Sequence, residues 1–191
     1  MSILVYKNYD GQLAKRDGWH ITMSALILDL DGTVRGSTSG PFINHPSEIY
    51  LLPQAEEKIQ EYVKSNYLIC GVTNQGGVAY GYKTETDILV ELDVMMGLFT
   101  VNPFSIIVAA LNHERGTDVK HGWRSLHRKP SYGMLAKVEE EAFNHKVIID
   151  WDHSLMVGDR EEDFACAINA QVEFKWADEF FERNEYRRDL K

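Results

Sequence analysis

The chain has 191 residues, 44% hydrophobic and 26% charged, with 29 acidic against 20 basic side chains and a formal net charge of −9. That length and composition suit one globular domain with a full core. The acidic balance argues against a generic nucleic-acid coat, although it leaves room for a local basic patch. No apolar run approaches the length of a membrane span, and Ile3-Leu4-Val5-Tyr6 is too short for the centre of a secretory leader. The two cysteines, Cys70 and Cys166, lie in apolar contexts without a Cys-x-x-Cys pairing, as buried thiols of a reducing compartment do. A cytoplasmic location is the expectation.

In chain order, Ile3 to Tyr6 reads as a short strand, followed by a polar turn at Asn8-Tyr9-Asp10-Gly11. Residues 1–24 form an N-terminal extension, a decoration on the sheet, and 25–191 form the main domain. Ala25 to Asp29 is the first core strand. Residues 34–52, rich in Gly, Ser and Pro, predict a loop or small flap. Pro53 opens a helix over 54–65, with Ala55, Ile59, Tyr62 and Val63 on one face. Tyr67 to Val72 is a second buried strand. Thr84 and Asp87 resemble a capping box ahead of a helix whose stripe of Ile88, Leu89, Leu92, Met95 and Met96 predicts core. A strand over 105–109, a helix over 134–143, a strand over 154–157, a helix over 161–170 and a strand over 172–174 complete the pattern. Continuously apolar strands that alternate with amphipathic helices predict a three-layer, Rossmann-like α/β sandwich with a parallel sheet. The remaining sequence leaves space only for a small flap or loop cap. The mixed-charge stretch from Glu182 to Lys191 reads as a frayed helix end.

Four polar clusters fall at strand ends or before a helix. Asp29 and Asp31 end the first strand and are followed by Gly32 and Thr33. Residues i and i+2 of a strand share a side, and two carboxylates beside an apolar strand are costly unless a cation offsets them. Read alone, the segment is also an ordinary Asp-Gly turn. Val72-Thr73-Asn74-Gln75-Gly76-Gly77 can surround an oxyanion with donors; it is equally turn chemistry. Arg128-Lys129-Pro130 precedes a helix, where a lysine either neutralises a phosphate or is merely a solvated charge. Gly158-Asp159-Arg160-Glu161-Glu162-Asp163 puts two aspartates four apart at a helix start, where acids also complement the helix dipole.

The order of these clusters makes them specific. Asp29-Leu30-Asp31-Gly32-Thr33, then Thr73-Asn74, then Lys129-Pro130, then Gly158-Asp159 with Asp163 resemble the four motifs of the haloacid dehalogenase superfamily of phosphohydrolases. The resemblance implies that Asp29 attacks phosphorus to form an aspartyl-phosphate, and that Asp31 protonates the leaving oxygen and then activates water. It implies a Mg²⁺ held by Asp29, the Asp31 backbone carbonyl, Asp159 and Asp163. It assigns the phosphoryl oxygens to Thr73, Asn74 and Lys129.

The longer run Thr73-Asn74-Gln75-Gly76-Gly77-Val78-Ala79-Tyr80-Gly81 is similar to a signature shared by two small-capped branches. One hydrolyses sugar bisphosphates or histidinol phosphate. The other is the 3′-phosphatase domain of polynucleotide kinase 3′-phosphatases. The sugar enzymes usually carry a zinc loop of three Cys and one His before their Arg-Lys-Pro. Here that segment holds His113, His121 and His127 but no cysteine, so no zinc is expected. Ser37-Thr38-Ser39-Gly40-Pro41-Phe42, the Lys129 loop and Asp163-Phe164-Ala165-Cys166-Ala167 resemble the polynucleotide branch. Basic residues around Trp123, with Arg124 and Arg128 beside it, offer a backbone-phosphate contact and a stacking ring; a solvated loop is the plainer account. The expectation is a Mg²⁺-dependent phosphomonoesterase acting on a nucleic-acid 3′ end, without membrane partners. Phosphatases of small metabolites are the alternative, and a non-catalytic phosphate-binding module is the reading from another class. No Gly-x-x-x-x-Gly-Lys-Ser/Thr motif occurs, so the chain carries no kinase half.

Overall fold

In the computed structural model, residues 3–8 and 19–183 are described. The elements run β1 (Ile3–Lys7), β2 (Ile21–Met23), β3 (Ala25–Leu28), β4 (Arg35–Ser37), β5 (Ile49–Leu51), α1 (Ala55–Lys64), β6 (Leu68–Asn74) and α2 (Glu85–Gly97). They continue with β7 (Ile106–Ala110), α3 (Gly133–Asn144), β8 (Val147–Ile149), β9 (Leu155–Gly158), α4 (Glu161–Ala170), β10 (Glu173–Trp176) and the short α5 (Ala177–Phe180).

Six strands form the central sheet in the order β1-β7-β6-β3-β9-β10. The pairs β7–β6, β6–β3, β3–β9 and β9–β10 are parallel. Alternation along these strands divides the core in two. Leu26 and Leu28 of β3 join Ile69, Ile107, Leu155 and Val157 on the face covered by α1, α2 and α5. Ala25 and Ile27 join Cys70, Val72, Val108 and Met156 on the face covered by α3 and α4. Each strand is therefore apolar throughout because both of its faces are covered, as the three-layer expectation requires. Cys70 and Cys166 are free and buried in that second cluster, and burial raises both thiols, Cys166 to about 12.

The sheet departs from the expected all-parallel arrangement at one edge. β1 pairs antiparallel with β7, from Ile3 opposite Ala110 to Lys7 opposite Ile106. The N-terminal extension thus supplies an edge strand. A second part of it, β2, pairs in parallel with β8. The turn expected at residues 8–11 lies outside the described residues beyond Asn8.

The flap expected at 34–52 is an antiparallel hairpin, with Arg35 opposite Leu51 and Ser37 opposite Ile49. Its stem is packed into the core through Val34, Ile43 and Ile49. On α2 the apolar stripe is correct except at Leu89, which is exposed, whereas Glu91 is buried. The Thr84–Asp87 box is present, with Asp87 N–H donating to Thr84 Oγ1 at 3.1 Å. Of the mixed-charge C-terminal stretch, Arg183 is buried rather than frayed. Its Nε donates to Pro53 O and its Nη2 to Thr33 O, each at 2.9 Å; residues beyond it lie outside the described set.

Among the described residues, no helix is long and apolar enough to cross a membrane.

Candidate active site

The chain leaves β3 to pair first with β6 on one side and later with β9 on the other. A reversal of this kind opens a crevice at the carboxyl ends of the strands. The sequence fills that crevice with its four polar clusters. Asp29 and Asp31 follow β3, Thr73 and Asn74 end β6, and Asp159 follows β9. Lys129 arrives from the loop ahead of α3, and Asp163 from the first turn of α4.

Asp29 and Lys129 form a buried pair, with Lys129 Nζ donating to Asp29 Oδ1 at 2.5 Å. The same ammonium lies 2.6 Å from Asp163 Oδ1 and donates to Val72 O at 2.9 Å. Asn74 holds the lysine loop by its main chain: its Oδ1 accepts from Lys129 N–H at 3.0 Å and its Nδ2 donates to Lys129 O at 3.1 Å. Burial raises Asp29 to about 7, with Asp163 and Asp31 adding to the rise and Lys129 opposing it. Burial works against the ammonium of Lys129, but Asp29 and Asp163 outweigh it and the lysine is raised.

Oxygens of Asp29, Asp159 and Asp163 lie within 4.8 Å of one another, a grouping of potential metal ligands found once among the described residues. Burial, then Asp163, raises Asp159 despite Arg160. One ammonium among three carboxylates leaves an excess of negative charge. The donors are all hard oxygens, so the cluster fits a Mg²⁺ ion. Asp163 also serves its helix, its Oδ2 accepting from Arg160 N–H at 3.0 Å. Asp163 thus both caps its own helix and lies in the carboxylate grouping.

Asp31 has a different environment. Its Oδ1 accepts from Arg35 Nε at 2.7 Å and its Oδ2 from Gln75 Nε2 at 2.6 Å, with Thr73 Oγ1 at 3.5 Å. Burial alone would raise this carboxyl. Arg35 and the Gln75 hydrogen bond outweigh it and hold Asp31 below the usual range. Two neighbouring aspartates are thus pushed in opposite directions, a separation typical of groups with different tasks.

A cleft of about 500 Å³ opens over Asp29 and Asp31. The flap contributes Phe42 and Asn44, the loop after β6 contributes Tyr80 and Tyr82, and Lys83, Arg128 and Arg160 supply positive charge. Arg128 lies against Gly76 and donates through Nη1 to Asn112 O at 3.3 Å. Trp123 and Arg124, expected beside it, do not line the cleft. Trp123 is turned onto its own loop, its Nε1 donating to Lys120 O at 2.8 Å. The three loop histidines are engaged separately: His113 with Tyr80 OH, His121 with Glu85 and His127 with Ser125.

Sequence reasoning missed Arg35, Gln75, Lys83 and Glu91. Gln75 was read within a donor cluster or a turn, but not as a partner of Asp31. Glu91 left a readable trace, because an acid between Ile88 and Leu92 sits on the helix face that must be buried. Arg35 left none beyond its spacing of four from Asp31.

This fold and this set of strand-end residues define a phosphatase of the haloacid dehalogenase superfamily, a phosphoric monoester hydrolase. A family model described as polynucleotide kinase 3 phosphatase matches residues 24–181, and the chain belongs to that family. Among curated relatives, a protein of Thermoplasma volcanium named "Probable D-glycero-D-manno-heptose-1,7-bisphosphate 7-phosphatase" is 31% identical over 142 residues, covering 73% of this chain and 88% of its own. The D-glycero-beta-D-manno-heptose-1,7-bisphosphate 7-phosphatase of Mesorhizobium japonicum is 29% identical over 160 residues, covering 81% and 69%. Among solved structures, a protein from Mesorhizobium loti described as a "putative had-like phosphatase" superposes with a TM-score of 0.71 at 25% identity, covering 90% of this chain and 77% of its own. The D,D-heptose 1,7-bisphosphate phosphatase of B. bronchiseptica, complexed with magnesium and phosphate, shares the fold with a TM-score of 0.58 at 24% identity, covering 81% and 79%.

Proposed function

We propose that this enzyme is a Mg²⁺-dependent phosphomonoesterase that works through an aspartyl-phosphate on Asp29 and acts on a small phosphorylated metabolite of the sugar bisphosphate kind. The observation that carries the chemistry is the grouping of Asp29, Lys129, Asp159 and Asp163 at the end of β3. Asp29 attacks phosphorus as the bond to the leaving oxygen breaks, and Asp31 delivers a proton to that oxygen. Water then attacks the same phosphorus, giving its proton to Asp31 and releasing Asp29. The arginine at Asp31 favours the ionised form that this second step needs. An arriving phosphate dianion raises the proton affinity of Asp31 for the first step. Thr73, the Asn74 main chain and Lys129 hold the phosphoryl oxygens. Asp29, the Asp31 carbonyl, Asp159 and Asp163 hold the Mg²⁺, which when bound offsets repulsion between phosphate and carboxylate.

The substrate assignment rests on the cleft and the relatives. About 500 Å³ lies in the range of small-molecule sites. Arg128, Lys83 and Arg160 can meet a second anionic group on such a substrate. The aromatic and basic loop suggested for a polynucleotide loses its force, because Trp123 and Arg124 stand off the cleft. A 3′-phosphorylated strand end is the second reading, favoured by the family match over 24–181. A phosphate-release panel tests the choice. The proposal expects heptose 1,7-bisphosphate to exceed a 3′-phosphorylated oligonucleotide in kcat/KM; the reverse order would establish the second reading.

A further inference from the structure

We propose that Arg35 is a positioning residue for Asp31 and that Glu91 is its anchor, so that the acid/base carboxylate is aimed from helix α2 through the stem of the flap. The inference rests on the catalytic reading above and extends it to residues outside the four motifs.

Asp31 lies beyond the end of β3, where its backbone bridges to Arg35 across a short turn. Its two oxygens are gripped from different elements, one by Gln75 next to β6 and one by Arg35 of β4. Arg35 is completely buried. While its Nε meets Asp31, its Nη1 donates to the Glu91 main-chain oxygen at 3.1 Å. Its Nη2 stands 3.7 Å from Glu91 Oε2, and neither of those two atoms has a hydrogen-bond partner. The other Glu91 oxygen accepts from Lys83 Nζ at 2.6 Å. Charges therefore alternate from Asp31 through Arg35 and Glu91 to Lys83, which itself lines the cleft.

A buried pair that is only loosely met contributes little to stability, and apolar residues of similar volume often serve a fold equally well. Stability is thus a poor explanation for Arg35. The guanidinium is a rigid plane whose donors leave at fixed angles. Fixing its Nη1 on α2 fixes the direction of its Nε, and with it the orientation of the Asp31 carboxylate. Ile88, Leu92 and Met95 hold that segment of α2 in the core, so the reference is firm.

Leaving-group dependence tests this. An alkoxide needs a proton as it departs, whereas p-nitrophenolate leaves without one, so a misaimed acid harms alkyl esters selectively. The substrates are glycerol 2-phosphate and p-nitrophenyl phosphate with Mg²⁺, and kcat/KM is the readout because it reports the step that expels the leaving group. For Arg35→Met, the loss on glycerol 2-phosphate should exceed the loss on p-nitrophenyl phosphate by at least about tenfold. Arg35→Lys should recover part of the difference, and Glu91→Gln should show a smaller selective loss. The double variant Arg35→Met/Glu91→Leu keeps the site apolar and filled, and serves if the single variant fails to fold. Equal losses on both esters, or no loss, would overturn the positioning role while leaving the catalytic reading intact. Wild-type protein inactive on both esters would overturn the catalytic reading and this inference with it.

Discussion

Gly32 lies between Asp31 and the carboxylate of Asp159. Its φ is +93°, a conformation that L side chains rarely adopt, and a Cβ there would overlap Asp159 Oδ2. The carboxylate thus occupies the volume a side chain would need. Gly32→Ala should add backbone strain of about 1–3 kcal/mol and push Asp159 from its place. The expected result is a rise of at least about tenfold in the Mg²⁺ concentration that half-activates the enzyme, read by titrating Mg²⁺ in a phosphate-release assay. An unchanged Mg²⁺ requirement would show that Asp159 is not a ligand. That Asp29, Asp31, Thr73 and Asp159 meet at strand ends, with Lys129 reaching them from the loop before α3, was legible in the sequence because each sits in a short motif. Arg35 was not, and of Glu91 only its burial was, because what joins them is a contact between a hairpin and a helix 56 residues apart. No local pattern records such a contact. Trp123 misled for a related reason, since composition places an aromatic among basic residues but does not say which way the ring turns.

At the scale of elements, the long strands and helices follow from apolar runs and helical spacing. The three-residue strands β2, β4, β5 and β8 are too short to show a period. They form because a partner lies alongside. The edge strand β1 was legible as a strand, while its antiparallel pairing was not. Its attachment can be tested through Glu141, which receives Lys7 Nζ at 3.0 Å and Lys137 Nζ at 2.9 Å. Burial would raise this carboxyl, but the hydrogen bonds from Lys137 and Lys7 prevail and lower it. A carboxyl lowered on folding contributes stability above its unfolded value near 4.5, and that contribution is lost as pH falls through the folded value. Glu141→Gln should therefore be less stable than wild type at pH 7, and the gap should close as pH falls below about 4.5. Urea unfolding at several pH values measures it; a gap independent of pH would rule out the charge contact.

For the whole molecule, the three layers bring distant sequence segments to one point. The parallel strands order themselves so that β3 is flanked by β6 and β9, and residues separated by a hundred positions meet as Asp29 and Lys129. The flap and the loop after β6 wall a cleft over that pair. The central claim is that Asp29 is the nucleophile of a Mg²⁺-dependent phosphoryl transfer. Phosphate release from p-nitrophenyl phosphate by wild-type protein and Asp29→Asn, each with Mg²⁺ and with EDTA, tests it most directly. The account predicts turnover by wild type that EDTA abolishes and Mg²⁺ restores, and a loss of at least about a thousandfold in a folded Asp29→Asn. Comparable turnover by folded Asp29→Asn, or wild-type turnover indifferent to EDTA, would contradict it.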